Sequence, residues 1–273
     1  MYKLNLIHEH NTKNSLGEGL FVDEKKSFWV DIDSNKIYCD GELLIDNLDV
    51  KPSVIFFCKS TKLTFGCDKG IYELNLISKK YKQLHASPLD LYSTHRSNDG
   101  CFYNKGYLLG FMHRSSPEGN KGYIYYLKKD KIQLIDKTIQ IPNGFISLND
   151  KSILICDSFS GKIWKFSFFE EKISKKLWAD LGSNLSPDGG CLVGENVFIS
   201  MWGRSAIFIF DLHGKLIQEL KLKIKFPTNC KYMQSSNLLY LTSANLESSL
   251  SDGSEGNSFI YELIYSPNDL NNY

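Results

Sequence analysis

Glu18, Asp99, Asn143 and Asp188 each stand directly before a glycine, and 13 positions after each lies an equivalent point in the next apolar run: Asp31, Met112, Cys156 and Met201. Asn98 neighbours Asp99, and two weaker copies of the pattern offer Ser53 and Thr228–Asn229. Taken singly, x-Asn-Gly and x-Asp-Gly are turn signals. Four in one register ask for more. Carboxylate and amide oxygens brought to one point would repel and stay poorly solvated without a cation. An all-oxygen donor set suits Ca²⁺, Mg²⁺ or Mn²⁺ and can accept Zn²⁺.

Other chemistry is weakly represented. His8 and His10 share one face of a strand and form a candidate zinc pair. They fall on an expected outer strand, where a surface pair is the simpler reading. No G-x-S-x-G elbow and no Gly-rich loop between a strand and a helix is present. Lys+Arg total 32 against 31 Asp+Glu, with no basic stripe, which disfavours nucleic acid and anionic membrane surfaces as partners. No apolar run approaches the roughly 18 residues of a membrane span, and MYKLNLIHEHNTKN lacks a signal peptide's apolar core, so a cytoplasmic protein is expected. The seven cysteines form no CxxC pair and lie mostly in apolar runs, as reduced, buried side chains would.

The residues that could do chemistry must be positioned by strands. Short runs rich in Phe, Tyr, Ile, Leu and Val alternate with Asp, Asn, Ser, Gly and Lys clusters along the whole chain. Six self-similar segments begin near LGEGLFVDEKK, KPSVIFF, SNDGCFY, IPNGFIS, SPDGGCL and FPTNCKY. Each offers about four strands, the signature of a propeller blade. The expectation is an all-β, six-bladed β-propeller of four-stranded antiparallel blades in one domain over residues 1–273. The N-terminal strand MYKLNLIHE supplies the outer strand of the sixth blade and closes the ring. Innermost strands then begin at one end of a central channel, so the repeat-register residues converge there. Loops between second and third strands reach the same mouth, bringing Asp31–Asp33, Asp68, His113–Arg114, Asp157 and Trp202–Arg204. Trp202 is a candidate to stack on a substrate ring. The longer segments 114–121 and 245–257 are expected to wall the pocket.

LGEGLFVDEKKSFWVDI, RSNDG, IPNGFISLNDKSILICDS, SPDGGCLVGENVFISMWG and FPTNCKYMQSSNLLYLTSA, in this order and spacing, resemble the gluconolactonase/regucalcin (senescence marker protein) family over nearly the whole chain. The resemblance implies a six-bladed propeller with one divalent metal ion held by Glu18, Asn143 and Asp188. It implies contacts from Arg96 and Asn98 to substrate or to a metal-bound water, and hydrolysis of small sugar-acid lactones with Asp188 activating water. Asp99 is a spare candidate base, with a turn role equally open. Ser115 replaces a substrate-contacting glutamate of some relatives, with Glu118 close by, and Phe111 precedes Met112 where the family has a small polar residue. These departures bear on which lactone is used. Two alternatives stay open: a related metal-dependent hydrolase of another ester or phosphoester, and a non-catalytic calcium- or ligand-binding propeller. A monomer or weak dimer is expected.

Overall fold

A strand made almost wholly of apolar residues is stable only where both its faces are covered. Ser27–Asp31 and Ser152–Asp157 are such strands, buried at every position. Lys162–Phe169, next in the same repeat, is only partly buried, and Lys172–Asp180 is largely solvated. Burial thus falls from axis to rim, as radial packing of sheets requires.

The computed structural model describes residues 1–88, 91–129, 131–169, 172–246 and 255–266. After β1 (Tyr2–His10) the chain lays down four strands per blade. The first blade holds β2 (Gly17–Val22), β3 (Ser27–Asp31), β4 (Lys36–Cys39) and β5 (Glu42–Ile45). The second holds β6 (Pro52–Lys59), β7 (Lys62–Cys67), β8 (Gly70–Asn75) and β9 (Tyr81–Ala86). β10 (His95–Tyr103), β11 (Gly106–His113), β12 (Tyr123–Lys128) and β13 (Lys131–Asp136) form the third. The fourth is β14 (Pro142–Asn149), β15 (Ser152–Asp157), β16 (Lys162–Phe169) and β17 (Lys172–Asp180). β18 (Ser186–Val193), β19 (Asn196–Trp202), β20 (Ala206–Asp211) and β21 (Leu216–Lys221) make the fifth. The sixth combines β22 (Pro227–Met233), β23 (Leu238–Ser243) and β24 (Ser258–Tyr265) with β1. The six-bladed reading holds, and so does closure by the N-terminal strand: β1 runs antiparallel to β24 from Tyr2↔Tyr265 to His10↔Ser258.

The core is divided into wedges between neighbouring blades. Phe28, Ile37, Phe65 and Leu74 fill the wedge between the first and second blades. Phe198, Ile209, Leu241 and Phe259 fill that between the fifth and sixth. The closing seam is thinner, with Leu20, Trp29 and Tyr38 buried and Tyr240 packed against them. Trp29 and Tyr38 stack there with centroids 5.5 Å apart. His10 leans on Trp29 at 5.9 Å, so it belongs to the seam as well as pairing with His8 at 4.4 Å. Polar contacts add to this closure: Thr228 Oγ1 donates to Gly17 O, and Asn14 Nδ2 donates to Gly256 O at 2.6 Å. All seven cysteines are free, four buried and three half-buried, as the sequence suggested.

Candidate metal centre

The register between first and second strands slips near the start of every blade. In β10 the slip lies between Ser97 and Gly100, in β14 between Asn143 and Ile146, and in β18 between Pro187 and Gly190. Such bulges bend a strand and re-aim its side chains, here toward the channel. They also explain the glycines. Gly19 and Gly144 have φ of 59° and 55°. A Cβ on Gly19 would lie 2.5 Å from Ser53 O, and one on Gly144 2.4 Å from Asp188 O. The next blade's inner strand passes too close for any side chain. The polar-glycine pairs are therefore bulges in the inner strands, where the sequence alone also allowed turns.

The bulges correct one register assignment. Gly17, Pro52, Ser97, Pro142, Pro187 and Pro227 all pair across to the second strand just before or at the slip. The next residues form one ring: Glu18, Ser53, Asn98, Asn143, Asp188 and Thr228. Asn98, not Asp99, is the counterpart of Asp188. Gly100 matches Gly190: a Cβ on either would strike the carbonyl of the second strand, Leu108 O at 2.3 Å or Phe198 O at 2.2 Å. The glycine after Asp99 thus serves a different close approach from the glycine after Asp188. Asp99 faces the other end of the channel, among Asn229, Lys231 and Cys191.

Glu18, Asn98, Asn143 and Asp188 are all buried. With Arg96 and Trp202 they line a cavity of about 450 Å³ at the mouth where the inner strands begin. Asn143 Nδ2 donates to Asp188 Oδ1 and, at 3.3 Å, to Ser158 Oγ. Ser158 Oγ in turn donates to Pro187 O at 2.8 Å. Gly19 N donates to Glu18 Oε2 at 3.1 Å and Gly189 N to Asp188 Oδ1 at 2.9 Å. Glu18 and Asp188 lie close enough for the charge of one to act on the other. Burial first, then the neighbouring Asp99 charge, pushes Glu18 up to about 8. Burial and the Glu18 charge raise Asp188 well above the usual carboxylate range. Among the described residues neither carboxylate has an ion-pair partner.

That donor chemistry fits a hard dication. Two neighbouring buried carboxylates repel, and each favours its protonated form unless a cation supplies the opposing charge. Among the described residues no three His, Cys, Asp or Glu side chains are grouped to hold a metal. The Asn143 amide, which reaches Asp188 Oδ1, is a candidate third donor once turned so that its oxygen faces the carboxylates.

Arg96 Nη1 donates to Asn98 Oδ1 at 2.7 Å and Ser97 O at 3.1 Å, while Asn98 Nδ2 donates to Pro142 O at 3.1 Å. Both ends of the Asn98 amide are engaged, so its first effect is to hold the guanidinium. Trp202 lines the cavity with its ring 5.1 Å from that of Phe226, combining exposure to the pocket with packing. Three loop carboxylates have structural work instead. Asp31 accepts from Ser15 N and Leu16 N, Asp68 from Lys51 N, and Asp157 from Ile141 N, each clasping the chain just ahead of an inner strand. Asp68 also pairs with Arg114 at 2.8 Å, and the exposed Asp33 with Lys51 at 3.2 Å. Ser115 bonds His113 Nδ1 at 3.1 Å; neither it nor the exposed Glu118 lines the cavity. Of the 245–257 segment, Leu246 lines the cavity, and residues 247–254 lie outside the described residues. Ser158 was missed by sequence reasoning. Its only signal was adjacency to Asp157 in the second-to-third-strand loop.

Residues 16–245 match the profile of the SMP-30/Gluconolactonase/LRE-like region, and the chain belongs to that family. Comparison with curated protein sequences returned no match. Among solved structures, the fold is similar to a calcium-binding protein, regucalcin, from Agrobacterium tumefaciens (TM-score 0.82, 21% identity, 93% of each chain covered). It is also similar to a luciferin-regenerating enzyme (TM-score 0.81, 20% identity, 96% of this chain and 95% of that one). The virginiamycin B lyase of Staphylococcus aureus shares the fold more distantly (TM-score 0.63, 13% identity, 97% and 100% covered).

Proposed function

We propose that the chain is a divalent-cation-dependent hydrolase that opens sugar-acid lactones, with Glu18, Asn143 and Asp188 holding the cation. One observation carries the reading. Two neighbouring carboxyls and an amide, all buried and without a cationic partner among the described residues, form the floor of a cavity large enough for a sugar ring. Family membership favours a lactone over other esters, and the calcium-binding Agrobacterium relative supports a hard cation, with Mg²⁺, Mn²⁺ and Zn²⁺ as the other candidates.

When bound, a dication supplies charge that keeps both carboxylates ionised, draws density from the lactone carbonyl and makes nearby water more acidic. Asp188 takes a proton from the attacking water as its oxygen bonds to the carbonyl carbon. The ring C–O bond then breaks, and the proton passes to the departing ring oxygen, giving the open hydroxy acid. Arg96, fixed by Asn98, directs its remaining N–H groups to substrate hydroxyls. Trp202 offers a flat wall for the sugar's apolar face.

The test is a panel of aldonolactones in a pH-indicator assay, using chelator-stripped protein restored with Ca²⁺, Mn²⁺ or Zn²⁺. Cation-dependent turnover above the spontaneous rate is expected, falling to background in Asp188→Ala. Asn98→Ala, which frees Arg96, is expected mainly to raise KM, by about tenfold. Full activity in Asp188→Ala contradicts its role. Cation binding without turnover of any lactone or ester points instead to a binding propeller.

A further inference from the structure

The cavity above Glu18 and Asp188 has two unlike sides. On the third blade Arg96 brings the one cation that lines it among the described residues. Asn98 and Ser158 line it too, but their polar atoms are engaged within the protein. From the fourth blade round to the first the wall is mostly apolar, with Ile141, Phe159, Trp202, Leu246 and Leu16. Ser183 and Ser186, ahead of and at the start of β18, add two hydroxyls to that side. Phe159 follows Ser158 in the loop between β15 and β16. It is 37% exposed and Leu246 is 56% exposed, and neither joins the buried clusters between blades. Large apolar side chains left exposed at the rim of a pocket gain from a ligand that covers them.

We propose that this pocket selects aldonolactones whose carbon chain ends in a methyl group, the 6-deoxy sugar lactones, with Phe159 as the residue that sets the preference. In the lactonase reading, on which this preference rests, the carbonyl lies at Glu18, Asn143 and Asp188 and the ring hydroxyls face Arg96. A hexonic acid 1,4-lactone carries a two-carbon tail beyond its ring oxygen, directed away from the carbonyl. That tail meets the side held by Phe159, Trp202 and Leu246. The hydroxyl on its first carbon has Ser183 or Ser186 to bond, whereas the terminal carbon meets apolar surface. A terminal hydroxyl there gives up water without gaining a partner, and a methyl group does not.

The test pairs 6-deoxy-D-galactono-1,4-lactone with D-galactono-1,4-lactone, which differ only in the terminal hydroxyl, on the Ca²⁺-loaded full chain. Expected is a kcat/KM about tenfold higher for the deoxy lactone. Phe159→Ser is expected to bring that ratio to about one, and Phe159→Leu to restore most of it. Calorimetric titration of the two open acids reads the same preference without turnover. Equal kcat/KM for the two lactones overturns the preference and leaves the lactonase reading standing. A tenfold ratio that persists in Phe159→Ser overturns the role of Phe159. Absence of turnover with tenfold tighter binding of the deoxy acid sinks the hydrolase reading and supports the preference. Absence of turnover with equal binding of the two acids overturns both.

Discussion

Burial that holds protons on the Glu18 and Asp188 carboxyls gives the protein a pH dependence that a bound cation should reverse. Glu18 is raised to about 8 in the fold against an ordinary 4.5. Between those values the folded chain holds a proton that the unfolded chain has lost. Stability of the cation-free protein is therefore expected to fall as pH rises through this window and to level off above it. Saturating Ca²⁺ favours the ionised form and is expected to remove or invert the slope. Thermal unfolding across pH, in chelator and in Ca²⁺, checks both signs; a flat profile in chelator contradicts the raised Glu18 carboxyl. Ser158 acts one step back, steadying Asn143 from the Pro187 carbonyl. Ser158→Ala is expected to weaken cation affinity about tenfold while leaving the unfolding midpoint in chelator nearly unchanged. Glu18, Asn143 and Asp188 were legible because each precedes a glycine in a repeated segment. Ser158 was not, because a serine in a polar loop carries no pattern of its own.

At the scale of elements, the bulged inner strand is the device that turns sequence into a site. Gly144→Ala would force a side chain onto Asp188 O at a positive φ. It is expected to cost about 1–3 kcal/mol in chemical denaturation and to reduce cation binding with it. The clasps at Asp31, Asp68 and Asp157 fix where each inner strand starts. Asp157→Ala would strip acceptors from Ile141 N, Phe159 N and Ser160 Oγ. A loss of about 1–3 kcal/mol is expected there too, read as a lower denaturant midpoint. The Asp99 register shows where the sequence misleads. A polar residue before glycine looks alike in SNDG and SPDG, yet one glycine faces its own second strand and the other the next blade. Only the bulge position separates them, and local sequence does not state it.

At the scale of the whole molecule, apolar second strands and a repeat of near-constant length made six blades legible, and a short final segment made ring closure legible. Which side chains fill which wedge was not legible, because packing between blades pairs residues far apart in sequence. The seam between the sixth and first blades rests on few buried groups, so Trp29→Ala is expected to cost about 3–5 kcal/mol and to loosen the ring there. The central claim is that this ring gathers Glu18, Asn143 and Asp188 onto one cation. Its most direct test is a calorimetric titration of Ca²⁺ into chelator-stripped protein, wild type beside Asp188→Asn. One high-affinity site per chain, lost in the variant while its fold is retained, is the expected result. A site that survives Asp188→Asn with unchanged affinity would contradict it.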